Sequence, residues 1–207
     1  AGVTGGVAVI IFLTQLINQL QATIVDRVMG SQAHVVIRPL EESTQRVLAA
    51  TPDQAVAAVV QPRAQRLRSV DQWEQIATLA AATPGVVAVS PVVSGPAFAS
   101  RGGTSKSVVV MGVQPQDYGR VVKMDGYMTQ GRFDVTGTRA LIGIDLAQDL
   151  GLAVGDKLRV TSATGRAETL DIGGLFDMGN RDLNRRWVFV TLKLGQTLLD
   201  LPGGVSN

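Results

Sequence analysis

The sequence predicts an α+β protein in which one N-terminal transmembrane helix, present in part, is followed by a strand-rich water-facing domain. Three observations lead there. No charged side chain occurs in residues 1–25, a span of 25 residues, and about 20 uncharged residues at 1.5 Å rise cross a bilayer core. Beyond residue 25 the pattern changes to short β-branched runs interleaved with a few amphipathic helical stretches. The composition is globular, with 45% hydrophobic and 17% charged residues over 207 positions, enough for one sizeable core or two small ones.

The opening helix is read from Val7, Ala8, Val9, Ile10, Ile11, Phe12 and Leu13, an apolar run with no polar interruption. Further along, Gln15, Asn18 and Gln19 share one helical face, while Leu13, Leu16, Ile17, Leu20 and Ile24 take the other. Apolar all round and then amphipathic is the pattern of a helix leaving the bilayer. A signal peptide would need a basic flank and a cleavage site, and no Lys or Arg precedes Arg27. A buried core helix is the bland alternative. The missing Met and basic flank give the expectation that the chain starts partway through a membrane helix.

Next, Ala33–Arg38 reads as a strand stopped by Pro39. Residues 40–68 are loosely patterned, broken by Pro52 and Pro62, with a short strand at Val56–Val60 and three arginines, Arg63, Arg66 and Arg68. A helix starts near Asp71, whose carboxylate is placed to cap it while Glu74 reaches back; Trp73, Ile76, Ala77 and Ala80 form its buried face, and Thr83-Pro84-Gly85 ends it. Val86–Val93 is expected to be a strand buried on both sides up to Pro91, with an extension over Pro96–Ser100.

The remaining elements follow turn chemistry. Arg101-Gly102-Gly103-Thr104 turns into a strand at Ser107–Val113, and Arg139–Gly143 is a strand followed by a helix from Asp145 to Leu150 that Gly151 terminates. Leu158–Thr161 pairs with Glu168–Ile172 across the loop at 162–166. Trp187–Val190 is a strand, Leu194–Leu199 a helix stopped by Pro202-Gly203-Gly204, and Val205-Ser206-Asn207 a polar tail or the start of another strand.

Composition also excludes chemistry. A net charge of +2 is too small to imply nucleic acid, and 4% aromatic residues offer no base-stacking platform. Zero cysteines remove disulfides, thiol nucleophiles and cysteine zinc sites, and the single histidine, His34, cannot build a multi-His centre or a triad within one chain. No catalytic, metal or cofactor-binding residue is assigned. Residues 177–186 form the densest polar cluster, without the alternating ligands of a calcium loop. It is read either as a solvated loop of local Asn and Asp turns, or as a site where Arg181, Arg185 and Arg186 grip an acidic partner or lipid headgroup. Arg63, Arg66 and Arg68 admit the same two readings.

The order of segments then resembles a known family. Gly6–Ile11, Leu16-Ile17-Asn18-Gln19-Leu20 and Met29–Ile37 are similar to the first membrane helix and exit strand of MacB/FtsX-type ABC transporter permeases, nearest the LolC/LolE branch. The similarity continues through Pro84–Pro91, Gly112-Val113-Gln114-Pro115, Leu141-Ile142-Gly143, Gly151–Asp156 and Phe189–Leu199. The resemblance implies a bacterial inner-membrane protein with a two-lobed periplasmic domain: an α/β porter-like lobe at 33–94 and 187–207, and an inserted, mainly β, sabre-like lobe at 95–186. It implies as partners the membrane, a cytoplasmic ABC ATPase, a second permease chain as homo- or heterodimer, and a periplasmic protein. ATP hydrolysis would drive export or extraction of an amphiphile. The alternative is an FtsX-like scaffold that activates a cell-wall hydrolase without transport. On this reading the chain is a fragment that ends before its last strand. Gly102–Ser107 lacks Walker A spacing, in keeping with an ATPase on another chain. The loop at 162–166 is too short for the hook with which a lipoprotein-releasing permease docks its carrier, and residues 40–68 have no counterpart in the family pattern.

Overall fold

A computed structural model describes residues 12–19, 33–39 and 67–207. Residues 12–19 are helical (α1) and exposed on every side, with Phe12, Leu13, Leu16 and Ile17 between 48% and 65% accessible. The helix is therefore not a buried core element over that stretch. Val7, Val9, Ile10, Ile11 and Leu20 lie outside the described residues, as does the strand expected at Val56–Val60. Among the described residues, no helix is long and apolar enough to cross a membrane.

The ordered elements from residue 67 onward are α2 (Trp73–Ala82), β1 (Val92–Arg101), β2 (Thr104–Val113), α3 (Pro115–Val121), a 3-10 turn (Met124–Tyr127), β3 (Met128–Gln130), β4 (Arg139–Gly143), α4 (Ile144–Leu150), β5 (Lys157–Ser162), β6 (Ala167–Phe176), α5 (Arg181–Arg186), β7 (Trp187–Thr191) and α6 (Leu192–Leu198). The strands make one mixed sheet in the order β3-β6-β4-β7-β2-β1-β5, and β5 pairs again with β6. That last pairing closes six strands into a barrel and leaves β3 as an outer strand on β6. Closure removes the open edges of the six strands.

Local sequence explains most of these elements. Gly102 at φ 57 makes the tight loop that sets Arg101 opposite Thr104, and the β1–β2 ladder then runs without a slip to Val92 opposite Val113. Gly151 at φ 63 ends α4, its N–H bonding the carbonyls of Ala147 and Gln148. β5 joins β6 with Leu158 opposite Leu170 and Thr161 opposite Ala167, so the connection is as short as the spacing predicts.

Among the described residues, three apolar clusters form the core. Val110, Ile142, Leu158, Val160, Leu170 and Val188 fill the barrel, which Leu146 of α4 and Leu198 of α6 help to plug. Outside it, Phe189, Phe176, Leu141 and Met124 pack under α3 and the 3-10 turn, where Phe189 and Phe176 meet edge-on with centroids 5.3 Å apart. A third cluster joins Val70, Val93, Leu192, Leu199 and Val205, with Trp73 and Ile76 of α2 against it. β4 and β7 are buried on both faces because one cluster lies inside the barrel and one outside.

Several expectations are corrected. Residues 33–38 form no strand and are exposed, Val35 at 79%. Val86–Pro91 has no regular secondary structure, with Val87 88% exposed, and the strand begins only at Val92. Asp71 does not cap α2: Gln72 takes the left-handed conformation at φ 51 and receives the first helical bonds on its own carbonyl, leaving Asp71 a residue too early. The polar stretch at 177–186 contains a helix, α5.

Candidate functional site

Two ends of the barrel carry the candidate residues. At the base, where β1 and α6 meet, the segment at 69–73 lies against 203–207. The Val70 amide donates to the Val205 carbonyl at 2.8 Å, the Val205 amide to Ser69 Oγ at 3.2 Å, and Trp73 Nε1 to the Gly203 carbonyl at 2.9 Å. The last residues are not a solvated polar tail. Val205 is 2% exposed, the Ser206 and Asn207 amides both donate to the Val92 carbonyl, and the Ser94 amide donates to Ser206 Oγ at 2.8 Å. Burying a serine is tolerated here because its hydroxyl is hydrogen-bonded.

Beside this seam, a groove of about 560 Å³ opens between α2, the segment at 86–91 and the start of α3. Its walls are apolar at Trp73, Ala77, Val86 and Val87, and polar at Asp117 and Arg120. Arg68, one of the arginines singled out by sequence, is exposed just before the seam; Arg63 and Arg66 lie outside the described residues. His34 is exposed and outside any strand.

The other arginine set sits at the far end of β7, about 15 Å away for five residues at strand rise. Arg181, Arg185 and Arg186 are exposed on α5, and Arg185 is not a free cation. Its Nε lies 3.8 Å from Asp149 Oδ2, the oxygen that Lys106 Nζ approaches at 3.2 Å. Partly solvated pairs of this length contribute little to stability. The structure thus places Arg68 and the α5 arginines at opposite ends of the barrel and does not bring them together.

What fixes α5 is a buried amide. Asn184, 2% exposed, accepts from the Met178 amide on Oδ1 at 2.9 Å and donates from Nδ2 to Asp177 Oδ1 at 2.7 Å. Asn180 caps the helix, its Oδ1 accepting from the Asp182 amide at 2.9 Å. Gly143, at the β4–α4 junction, lies so close to the Asn184 backbone that a Cβ there would collide with it. The cap and the first-turn Asp182 are visible in the sequence; the collision partner of Gly143 is not.

Sequence reasoning missed the aromatic pocket under α3. Pro115 at the first helical position with Asp117 behind it was an available signal for that helix. It brings Tyr118 against Phe189, ring centroids 5.5 Å apart. Burial pushes the Tyr118 phenol up from its ordinary 10.0 to about 12. No group of three or more His, Cys, Asp or Glu side chains that could hold a metal converges among the described residues.

The family model of the MacB-like periplasmic core domain matches residues 1–206. The chain belongs to that family. No curated protein matches it. Among solved structures, the extracellular domain of the noncanonic ABC-type transporter YknZ from Gram-positive bacteria is 18% identical, covering 65% of this chain and 69% of that one, with a TM-score of 0.49. The periplasmic region of MacB from Actinobacillus actinomycetemcomitans is 14% identical, covering 64% of this chain and 59% of its own, with a TM-score of 0.45. For this MacB-like core domain, the seam at the base and the α5 helix are the two surfaces whose roles are to be explained.

Proposed function

We propose that this MacB-like periplasmic core domain is the extracytoplasmic part of an ABC transporter permease in a bacterial inner membrane, and that its role is mechanical rather than catalytic. In this reading, helix α1 lies in the bilayer and carries the barrel. A cytoplasmic ATPase on a separate chain rearranges the membrane helices, and the barrel moves as a rigid body to displace an amphiphile or engage a periplasmic partner. A second permease chain completes the transporter. The domain has two lobes, with α2, the segment at 86–91 and the seam as the described share of the porter-like lobe.

The observation that carries this reading is the seam: residues 69–73 and 203–207 are hydrogen-bonded side by side, so the barrel stands on one foot. Exposed apolar side chains on α1 support a lipid surround for that helix. A buried, interlocked barrel transmits displacement without deforming, since packed interiors have low compressibility.

The test is purification from native membranes in mild detergent, followed by reconstitution into vesicles. The proposal expects an ATPase subunit to co-purify and ATP to drive loss of a labelled lipid or hydrophobic dye from the vesicles. Recovery without any ATPase contradicts it. Binding of a cell-wall hydrolase with no ATP-driven extraction would instead support the scaffold alternative.

A further inference from the structure

Among the described residues, the outer face of the barrel is covered on one side only. α3 and the 3-10 turn lie over Phe189, Phe176 and Leu141. That cover stops at Trp187, which is half-buried and meets Phe189 edge-on with centroids 5.8 Å apart. Beyond it an apolar row crosses three strands, with Trp187 opposite Val109 and Val109 opposite Pro96. Residues directly opposite share a face, so Phe98, two positions along β1 from Pro96, joins the row. Pro96 is exposed and Phe98 is 53% exposed. Single surface aliphatics need no explanation, but an aromatic row continuous with a core cluster does.

Charge selects the kind of partner this row fits. Phe98 lies opposite Thr161 on β5, and two positions along that strand Arg159 is exposed opposite Ser100. The outward positions of β7, β2, β1 and β5 hold two cations, Arg159 and Lys157, and no carboxylate. Lys157 has Asp171 opposite it on β6, whereas Arg159 forms no ion pair with a described residue. Arg159 is the unanswered charge.

We propose that this row is the docking surface for a periplasmic polypeptide that sets a carboxylate against Arg159 and apolar side chains against Phe98, Pro96 and Val109. The inference rests on the permease reading above and specifies the partner that the barrel engages. A second copy of the chain fits less well, because face to face it would bring the same cations and no carboxylate to meet them. An amphiphile fits less well too, since the outer wall of a barrel is convex and offers no concavity to enclose a tail. Trp, Phe and Arg are the side chains enriched where protein partners bind.

The test is photocrosslinking in native cells that make the full chain with Phe98→p-benzoylphenylalanine. The expected product is one discrete adduct with another polypeptide, whose crosslinked peptide carries Asp or Glu. Arg159→Glu should lower the yield by about tenfold or more. Arg159→Lys and Lys193→Glu, the latter a charge change on the exposed side of α6, should lower it by no more than about twofold. An adduct with a second copy or with lipid, an adduct indifferent to Arg159→Glu, or no adduct would overturn the proposal. Co-purification of an ATPase from the same cells separates the two levels of the account. Failure of the crosslink with the ATPase present overturns the docking surface alone, and failure of both overturns the permease reading with it.

Discussion

Trp73 and Gly203 are 130 residues apart in sequence and share a 2.9 Å hydrogen bond from the indole Nε1 to the glycine carbonyl. That bond fastens α2 to the segment after α6, and with the Val70–Val205 pairing it makes the base of the barrel a single unit. Trp73→Phe keeps the ring in the cluster with Val205 but removes the donor. The expected loss is about 0.5–1.5 kcal/mol, read as a lower denaturation midpoint with an unchanged slope in urea.

Gly195 of α6 and Gly112 of β2 touch backbone to backbone. A Cβ on Gly195 would stand 2.8 Å from the Gly112 Cα and 2.8 Å from Val93 Cγ1. Alanine at this helical position brings a propensity gain of up to about 1 kcal/mol, but the helix must lift from the sheet to admit it. Gly195→Ala is therefore expected to destabilise by roughly 1–3 kcal/mol, whereas Gly119→Ala in α3, where nothing lies within 4 Å of the added carbon, should not. Thermal denaturation of the two variants side by side checks the difference.

Most of the barrel is legible in the sequence, because its turns are set by local chemistry. Gly102, Gly151, Gly155 and Gly165 all take positive φ where the glycines mark turns, and the hairpins follow. What sequence does not show is which buried runs find partners. Val86–Val89 and Trp187–Val190 look alike as β-branched runs. One is left out of the sheet and the other becomes the doubly buried β7, a difference set by distant residues such as Val109 and Leu141 that pair with β7. The candidate arginines show the same limit. Spacing groups Arg181, Arg185 and Arg186, but it cannot reveal that Arg185 faces Asp149 on α4.

Asn184 is the buried polar group on which α5 depends. Asn184→Ala leaves the Met178 amide without its acceptor and removes one of the donors to Asp177 Oδ1, which still accepts from the Gly179 amide. A cost of about 1–3 kcal/mol is expected for such stranded groups. Asp149→Asn, which weakens only the solvated pairs with Lys106 and Arg185, should cost under about 1 kcal/mol and less at high salt. Urea titrations at low and high salt separate the two.

Tyr118 predicts an alkaline limit to stability. Its folded pKa is raised by burial to about 12 from 10.0, so the unfolded chain loses this proton first. The contribution is fully present below pH 10 and is lost as pH rises from 10 through 12. In a Tyr127→Phe chain, where Tyr118 is the only tyrosine left, phenolate absorbance should rise near pH 12 while the fold persists. A rise near pH 10 with the fold intact would contradict the buried phenol.

The claim on which the functional account rests is that the apolar opening helix is lodged in lipid and carries the barrel outside the cytoplasm. Alkaline carbonate extraction of membranes from cells expressing the chain tests it most directly, with a variant deleted for residues 1–32 as the comparison. The account predicts that the full chain stays in the membrane pellet and that the deleted chain is released. Release of the full chain into the supernatant would contradict it.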